Sequence, residues 1–202
     1  MKKEPTLICI PDISGFTKFM SEMDFELSSK VIPTLLNNII YNNQIGLEIS
    51  EIEGDAILFY KKGKVPQLEL LIEQCRSFHL EFYKQMYRLE HKYKARKDSI
   101  KIPKILGLKI ILHLGYDIAP VKIGNHIKLL GEDIILAHRL LKNKVPFDEY
   151  ILFSEPLMQY YRDTNVKWNT DWGKLFTVNE EIEYLGEILY NYIELRSHEK
   201  TD

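Results

Sequence analysis

Pro11-Asp12-Ile13-Ser14-Gly15-Phe16-Thr17 and Glu51-Ile52-Glu53-Gly54-Asp55-Ala56 are the two stretches on which the reading of this chain turns. Each follows an apolar run with the composition of a strand, so each aspartate is expected at a strand end, rigidly held yet within reach of solvent. Two carboxylates brought together in that way suit a hard divalent cation. Mg²⁺ in particular is usually held by one or two carboxylates, with the phosphates of a nucleotide completing its shell. The pair therefore points to phosphoryl-transfer chemistry.

Working outward, Thr6 to Ile10 reads as a strand stopped by Pro11, and Ser14-Gly15 opens a helical turn. Leu27, Val31, Leu35 and Ile39, with Ile32, Leu36 and Ile40, follow helical spacing, and Pro33 is expected to kink that helix or delay its start. The runs 47–52 and 56–60 meet at Gly54-Asp55 as a hairpin with the aspartate at its tip. Pro66 is placed to open a long helix with Leu70, Leu71, Phe78, Phe82, Met86 and Leu89 on its inner stripe, ending near Ala95. Leu108 to Tyr116 alternates as a half-buried strand, with Leu108, Ile110, Leu112 and Leu114 inward and Lys109, His113 and Gly115 on a polar face. Beyond it come a hairpin turning at Gly124-Asn125, a helix from Gly131 to about Lys142, a strand over 150–153, a short helix over 155–161 and a last hairpin over 182–195 pivoting near Gly186-Glu187. The order strand, helix, strand, strand, helix, strand is that of a ferredoxin-like split βαβ core, an α+β fold elaborated here by C-terminal strands and a helix. In such a core the first strand and the second-third hairpin end side by side, which brings Asp12 and Asp55 together.

Composition is compatible with this. The chain has 202 residues, 45% of them hydrophobic and 28% charged, which fits a single domain able to close one core. With 27 Lys and Arg against 29 Asp and Glu, no overall field gathers nucleic acid or anionic lipid. The stretch Lys92 to Lys104 is locally basic; it reads as a solvated connection, with a basic lid over phosphates as the alternative. Cys9 and Cys75 belong to no ligand set or disulfide framework and read as buried thiols in a reducing compartment. No apolar run approaches the ~20 residues of a membrane span, and no signal segment precedes the first strand. A cytoplasmic protein with neither nucleic-acid nor membrane partners is the expectation.

The same residues carry a resemblance to the catalytic domain of class III adenylyl and guanylyl cyclases. Residues 11–17 resemble that family's first metal motif, Glu53-Gly54-Asp55-Ala56 its second, Leu112-His113-Leu114-Gly115 its central strand, and residues 131–140 its dimer-interface helix motif. The order agrees from about residue 6 to 196, and the wording is most similar to small, stand-alone bacterial relatives of uncharacterised function. The resemblance implies that Asp12, Asp55 and the backbone carbonyl of Ile13 hold Mg²⁺ or Mn²⁺, two ions clamping the attacking and leaving oxygens of an in-line displacement. It implies a head-to-tail homodimer in which Arg139 of one protomer neutralises charge at the α-phosphate bound by its partner. It also places Glu51 and Lys128 at the base-reading positions. A carboxylate accepting from N–H groups beside an ammonium donating to a carbonyl complements guanine or uracil better than adenine.

Taken residue by residue, plainer roles stay open. Asp12 could cap the helix after Gly15, Asp55 could be a turn residue, Arg139 could face solvent or bridge a dimer, and Glu51 could simply pair with Lys128. There are departures from the family too. Its ribose-orienting asparagine is Ile135 here, with Asn143 a turn too late to replace it, and its triphosphate lysine is Leu185. Two functions are therefore expected: a cyclase acting on GTP or another non-adenine triphosphate, or a degenerate cyclase-fold module that binds metal and nucleotide as a sensor or partner.

Overall fold

A computed structural model describes residues 4–96 and 102–195. Strand β1 (Thr6–Ser14) leads through helix α1 (Phe16–Glu22) into α2 (Phe25–Tyr41), followed by the hairpin β2 (Glu48–Glu53) and β3 (Ala56–Lys62). Helix α3 (Leu68–Lys92), a single turn α4 (Ile102–Ile105) and strand β4 (Gly107–Gly115) complete the core. A two-stranded arm, β5 (Ala119–Ile123) and β6 (His126–Leu130), precedes α5 (Glu132–Leu140), β7 (Tyr150–Ser154) and α6 (Glu155–Asp163). A hairpin of β8 (Phe176–Ile182) and β9 (Gly186–Glu194) closes the described chain.

The sheet order is β2-β3-β1-β4-β7-β9-β8. Its first four strands are antiparallel neighbours in the order of a ferredoxin-like core, and β7 then adds parallel to β4. Side-chain alternation along β1 splits the core in two. Leu7 and Cys9 join Leu108, Ile110 and Leu112 beneath α2, α3 and α6, where Phe59 stacks on Phe78. Ile8 and Ile10 face the other way, against Ile111, Leu58 and the buried stripe of α5, Ile134, Ala137 and Leu140. Cys9 and Cys75 are both free and buried, as expected from their sequence context. No helix among the described residues is long and apolar enough to cross a membrane.

Several expectations are corrected. Pro11 does not end β1, which pairs with β4 through Ser14; the ladder to β3 skips Ile10 and Pro11, where proline has no N–H to give. Asp24 caps α2 by accepting from the Leu27 N–H at 2.9 Å, and the helix starts at Phe25, well ahead of Pro33, so proline does not delay it. Helix α3 opens at Leu68 with Gln67 as its N-cap, not at Pro66, and ends at Lys92; Leu70 is exposed while Leu68, Ile72 and Cys75 join the buried stripe. The supposedly polar face of β4 is covered by α5, leaving His113 fully buried. The last hairpin begins at Phe176 and turns at Glu183–Leu185. Part of the Lys92–Lys104 connection, 97–101, lies outside the described residues; within it, Arg96 is held by Asp24 and Glu26 at the start of α2.

Candidate functional site

The site is built by register. Asp12 continues the face set by Ile8 and Ile10, and the pairings Glu53↔Ala56, Ala56↔Asp12 and Asp12↔Lys109 lay four residues in a row across β2, β3, β1 and β4. A bulge at Ser50 in β2 brings Glu51 opposite Leu58 and Glu53 opposite Ala56, turning both glutamates onto this face. Asp55 sits in the turn between β2 and β3, tied to β1 by the Ile13 N–H, which donates to the Asp55 carbonyl at 3.0 Å. Gly15 follows with φ +77°, and a Cβ there would lie 2.1 Å from the Ile105 carbonyl oxygen, so this turn requires glycine. Gly15 is also the N-cap of α1, with no side-chain cap, which removes the capping role considered for Asp12.

Asp12 and Asp55 line one small pocket of about 140 Å³ with Ile10, Glu51, His138 and Leu141. Burial and then the charge of Asp12 push the Asp55 carboxyl up to about 6, from 3.8. The Lys109 Nζ lies 3.2 Å from Asp12 Oδ2 and donates to the Leu141 carbonyl, also at 3.2 Å. Among the described residues no three or more His, Cys, Asp or Glu side chains gather closely enough to hold a metal by themselves. The donor set is thus two oxygen donors from side chains, short of a closed cage. Such a set fits Mg²⁺ or Mn²⁺, which complete their shells with water, backbone carbonyls and phosphate, and not a soft-metal site.

The base-reading candidates are also brought together, but onto each other. Lys128 Nζ on β6 lies 2.7 Å from Glu51 Oε2 and 3.7 Å from Glu53, while His138 Nε2 lies 3.7 Å from Glu51 Oε1. Arg139 on α5 is not among the residues lining the Asp12–Asp55 pocket; it is exposed, and its guanidinium has no hydrogen-bond or ion-pair partner among the described residues. Ile135, a turn before it, is 54% exposed. Asn143 cannot replace it, because its amide donates to the Leu140 carbonyl and the Tyr150 hydroxyl while its oxygen accepts from the Val145 N–H. Leu185 sits in the β8–β9 turn, half-buried.

Two residues of the site were missed in the sequence. Lys109 carries a signal only once the β1–β4 register is known, since it then stands directly across from Asp12. His138 precedes Arg139 but turns toward Glu51. A second polar group is structural: buried His113 Nδ1 meets Ser154 Oγ at 2.8 Å and its Nε2 meets Asp133 at 3.1 Å, with Asp133 also accepting from the Tyr116 and Asp117 N–H groups. Serine and histidine there are no more than 1% exposed, so no substrate reaches them.

The fold is that of class III adenylyl and guanylyl cyclase catalytic domains. The chain is similar to the adenylyl cyclase CyaB from P. aeruginosa, with a TM-score of 0.60 and 16% identity over 96% of each chain. It is likewise similar to the guanylate cyclase domain of RhGC from Catenaria anguillulae, solved in complex with GTP, with a TM-score of 0.61 and 18% identity over 96% of this chain and 98% of that one. In sequence it is 26% identical over 150 residues to the uncharacterized protein Rv2561/Rv2562 of Mycobacterium tuberculosis, covering 74% of this chain and 67% of that protein. Residues 32–150 match one family model, and the chain belongs to that family, described as protein of unknown function (DUF2652).

Proposed function

We propose that this chain is a class III nucleotide cyclase-like protein, one cytoplasmic domain, that binds a nucleoside triphosphate, GTP favoured, in the cleft of a head-to-tail homodimer. The observation that supports it is the meeting of Asp12 and Asp55 in one pocket, where burial and the charge of Asp12 raise the Asp55 carboxyl to about 6. These two carboxylates, with the Ile13 carbonyl, are the residues that would hold Mg²⁺ or Mn²⁺. Bound there, the ions would polarise the triphosphate and favour a 3′-oxyanion. Arg139, exposed and with no side-chain partner among the described residues, is available to a phosphate held by the neighbouring protomer. Glu51 and Lys128 have to part to read a base. Guanine compensates both, giving N–H groups to the carboxylate and a carbonyl to the ammonium, whereas adenine offers no carbonyl.

Cyclisation would attack the α-phosphate with the ribose 3′-oxygen and release pyrophosphate. Ile135 gives that ribose no hydrogen bond, and Leu185 gives the triphosphate no charge, so turnover would be slow. Those two positions favour a second reading, a module that binds metal and GTP without turning it over. Incubation with each triphosphate and Mn²⁺ or Mg²⁺, followed chromatographically, separates the two when run beside calorimetric titration. Cyclic GMP formed faster than by Asp12→Ala supports the enzyme; metal-dependent GTP binding without product supports the module. Absence of nucleotide binding, or binding undiminished in Asp12→Ala and Asp55→Ala, defeats both.

A further inference from the structure

The pocket carboxylates do not face empty space in the chain as it folds. Asp12 is buried, and a buried carboxylate needs a compensating charge or several donors. The structure supplies one through the register itself: Lys109 stands across from Asp12 in the β1–β4 ladder, and its Nζ lies 3.2 Å from Oδ2. The same ammonium donates to the carbonyl of Leu141, the C-cap of α5. Carbonyls at a helix C-terminus lack intrahelical donors and carry the negative end of the helix dipole, so this is a good seat for a cation even without Asp12. Lys109 therefore rests on two seats at once, one a carboxylate that the metal reading requires and the other a helix end that it can keep when the carboxylate is taken.

Resting on that metal reading, we propose that Lys109 is a built-in counter-ion for Asp12, which an entering divalent cation displaces toward Leu141, and that it thereby sets the metal affinity of the site. It is a positioning residue: it competes for a ligand and keeps Asp12 in place until a cation arrives. A unit positive charge within a few ångströms of a dication weakens binding substantially even in a water-like dielectric, so neutralising it should tighten binding on the order of tenfold.

The test uses the full chain without nucleotide, with free Mn²⁺ followed by electron paramagnetic resonance. Lys109→Met and Lys109→Gln are expected to bind Mn²⁺ about tenfold more tightly than the unsubstituted chain, and Lys109→Arg to match it. A purely structural lysine would give weaker binding on removal. Unchanged or weaker binding in both neutral variants, with binding intact in the unsubstituted chain, overturns this role and leaves Asp12 and Asp55 standing as ligands. Binding in none of them overturns the metal reading as well. A measurement needing no substitution runs alongside: acetylation of Lys109 by an amine reagent, read by peptide mass spectrometry, should quicken severalfold on Mn²⁺ saturation. An unchanged rate at saturation overturns the displacement.

Discussion

The backbone N–H of Ile13 donates to the carbonyl of Asp55 over 3.0 Å, so the two acidic signatures are joined through main chain before any side chain is considered. One consequence is that the Asp12–Asp55 separation belongs to the sheet and survives exchange of either carboxylate. Substitutions at the site therefore test charge with little change of scaffold.

Asp55 makes the first such test. Its folded carboxyl, near 6 against an ordinary 3.8, holds a proton that the unfolded chain releases between about pH 4 and 6. Stability is thus greatest below that window and falls as pH rises through 6. Asp55→Asn should raise the melting temperature at pH 7.5 in metal-free buffer and lose its advantage at pH 4, read by scanning fluorimetry. An unchanged melting temperature at both pH values would contradict the repulsion.

Mixed dimers test the head-to-tail arrangement. Arg139→Ala and Asp55→Ala should each abolish metal-dependent GTP turnover or binding while leaving the fold intact, Arg139 being exposed. Mixing the two should restore roughly a quarter of the sites, because half the dimers are hybrid and one site in each hybrid is whole. No recovery after verified subunit exchange would count against sites shared between protomers.

Ile135→Asn restores a hydrogen-bonding group at an exposed position. Stability should stay within about 0.5 kcal/mol of the parent in urea unfolding. The rate of cyclic nucleotide formation should rise on the order of tenfold through better positioning. A rate that does not move would show that Ile135 is not what limits chemistry.

The His113–Asp133 connection carries stability. Asp133→Ala removes the acceptor of the Tyr116 and Asp117 N–H groups and the partner of the buried His113 Nε2, and should cost about 2 kcal/mol. Gly115→Ala should do at least as much damage, since its Cβ would lie 2.4 Å from the Asp133 carboxyl carbon. Chemical denaturation measures both, and a loss within error for Asp133→Ala would reduce the network to a solvated contact.

Much of this was legible in the residues. Gly54-Asp55 and Gly124-Asn125 fixed two hairpins, the apolar spacing of α2 gave its buried face, and the strand-helix alternation gave the core order. What stayed hidden depends on neighbours. The polar side of β4 looked solvated because nothing in Lys109 or His113 announces that α5 lies over it. Pro11 looked like a stop because the sequence does not say that its missing N–H falls in a gap of the β3 ladder. At the site, the two aspartates and the Glu51–Lys128 pair were readable from their motifs, whereas Lys109 appears only when two strands are laid side by side.

That cross-strand row also makes the site sensitive to chain length as much as to chemistry. Dropping a single residue from the 7–10 segment would exchange inside for outside along the rest of β1. Asp12 would then point into the oily layer beneath α2 and α3, and the pocket would vanish with all its amino acids still in the chain.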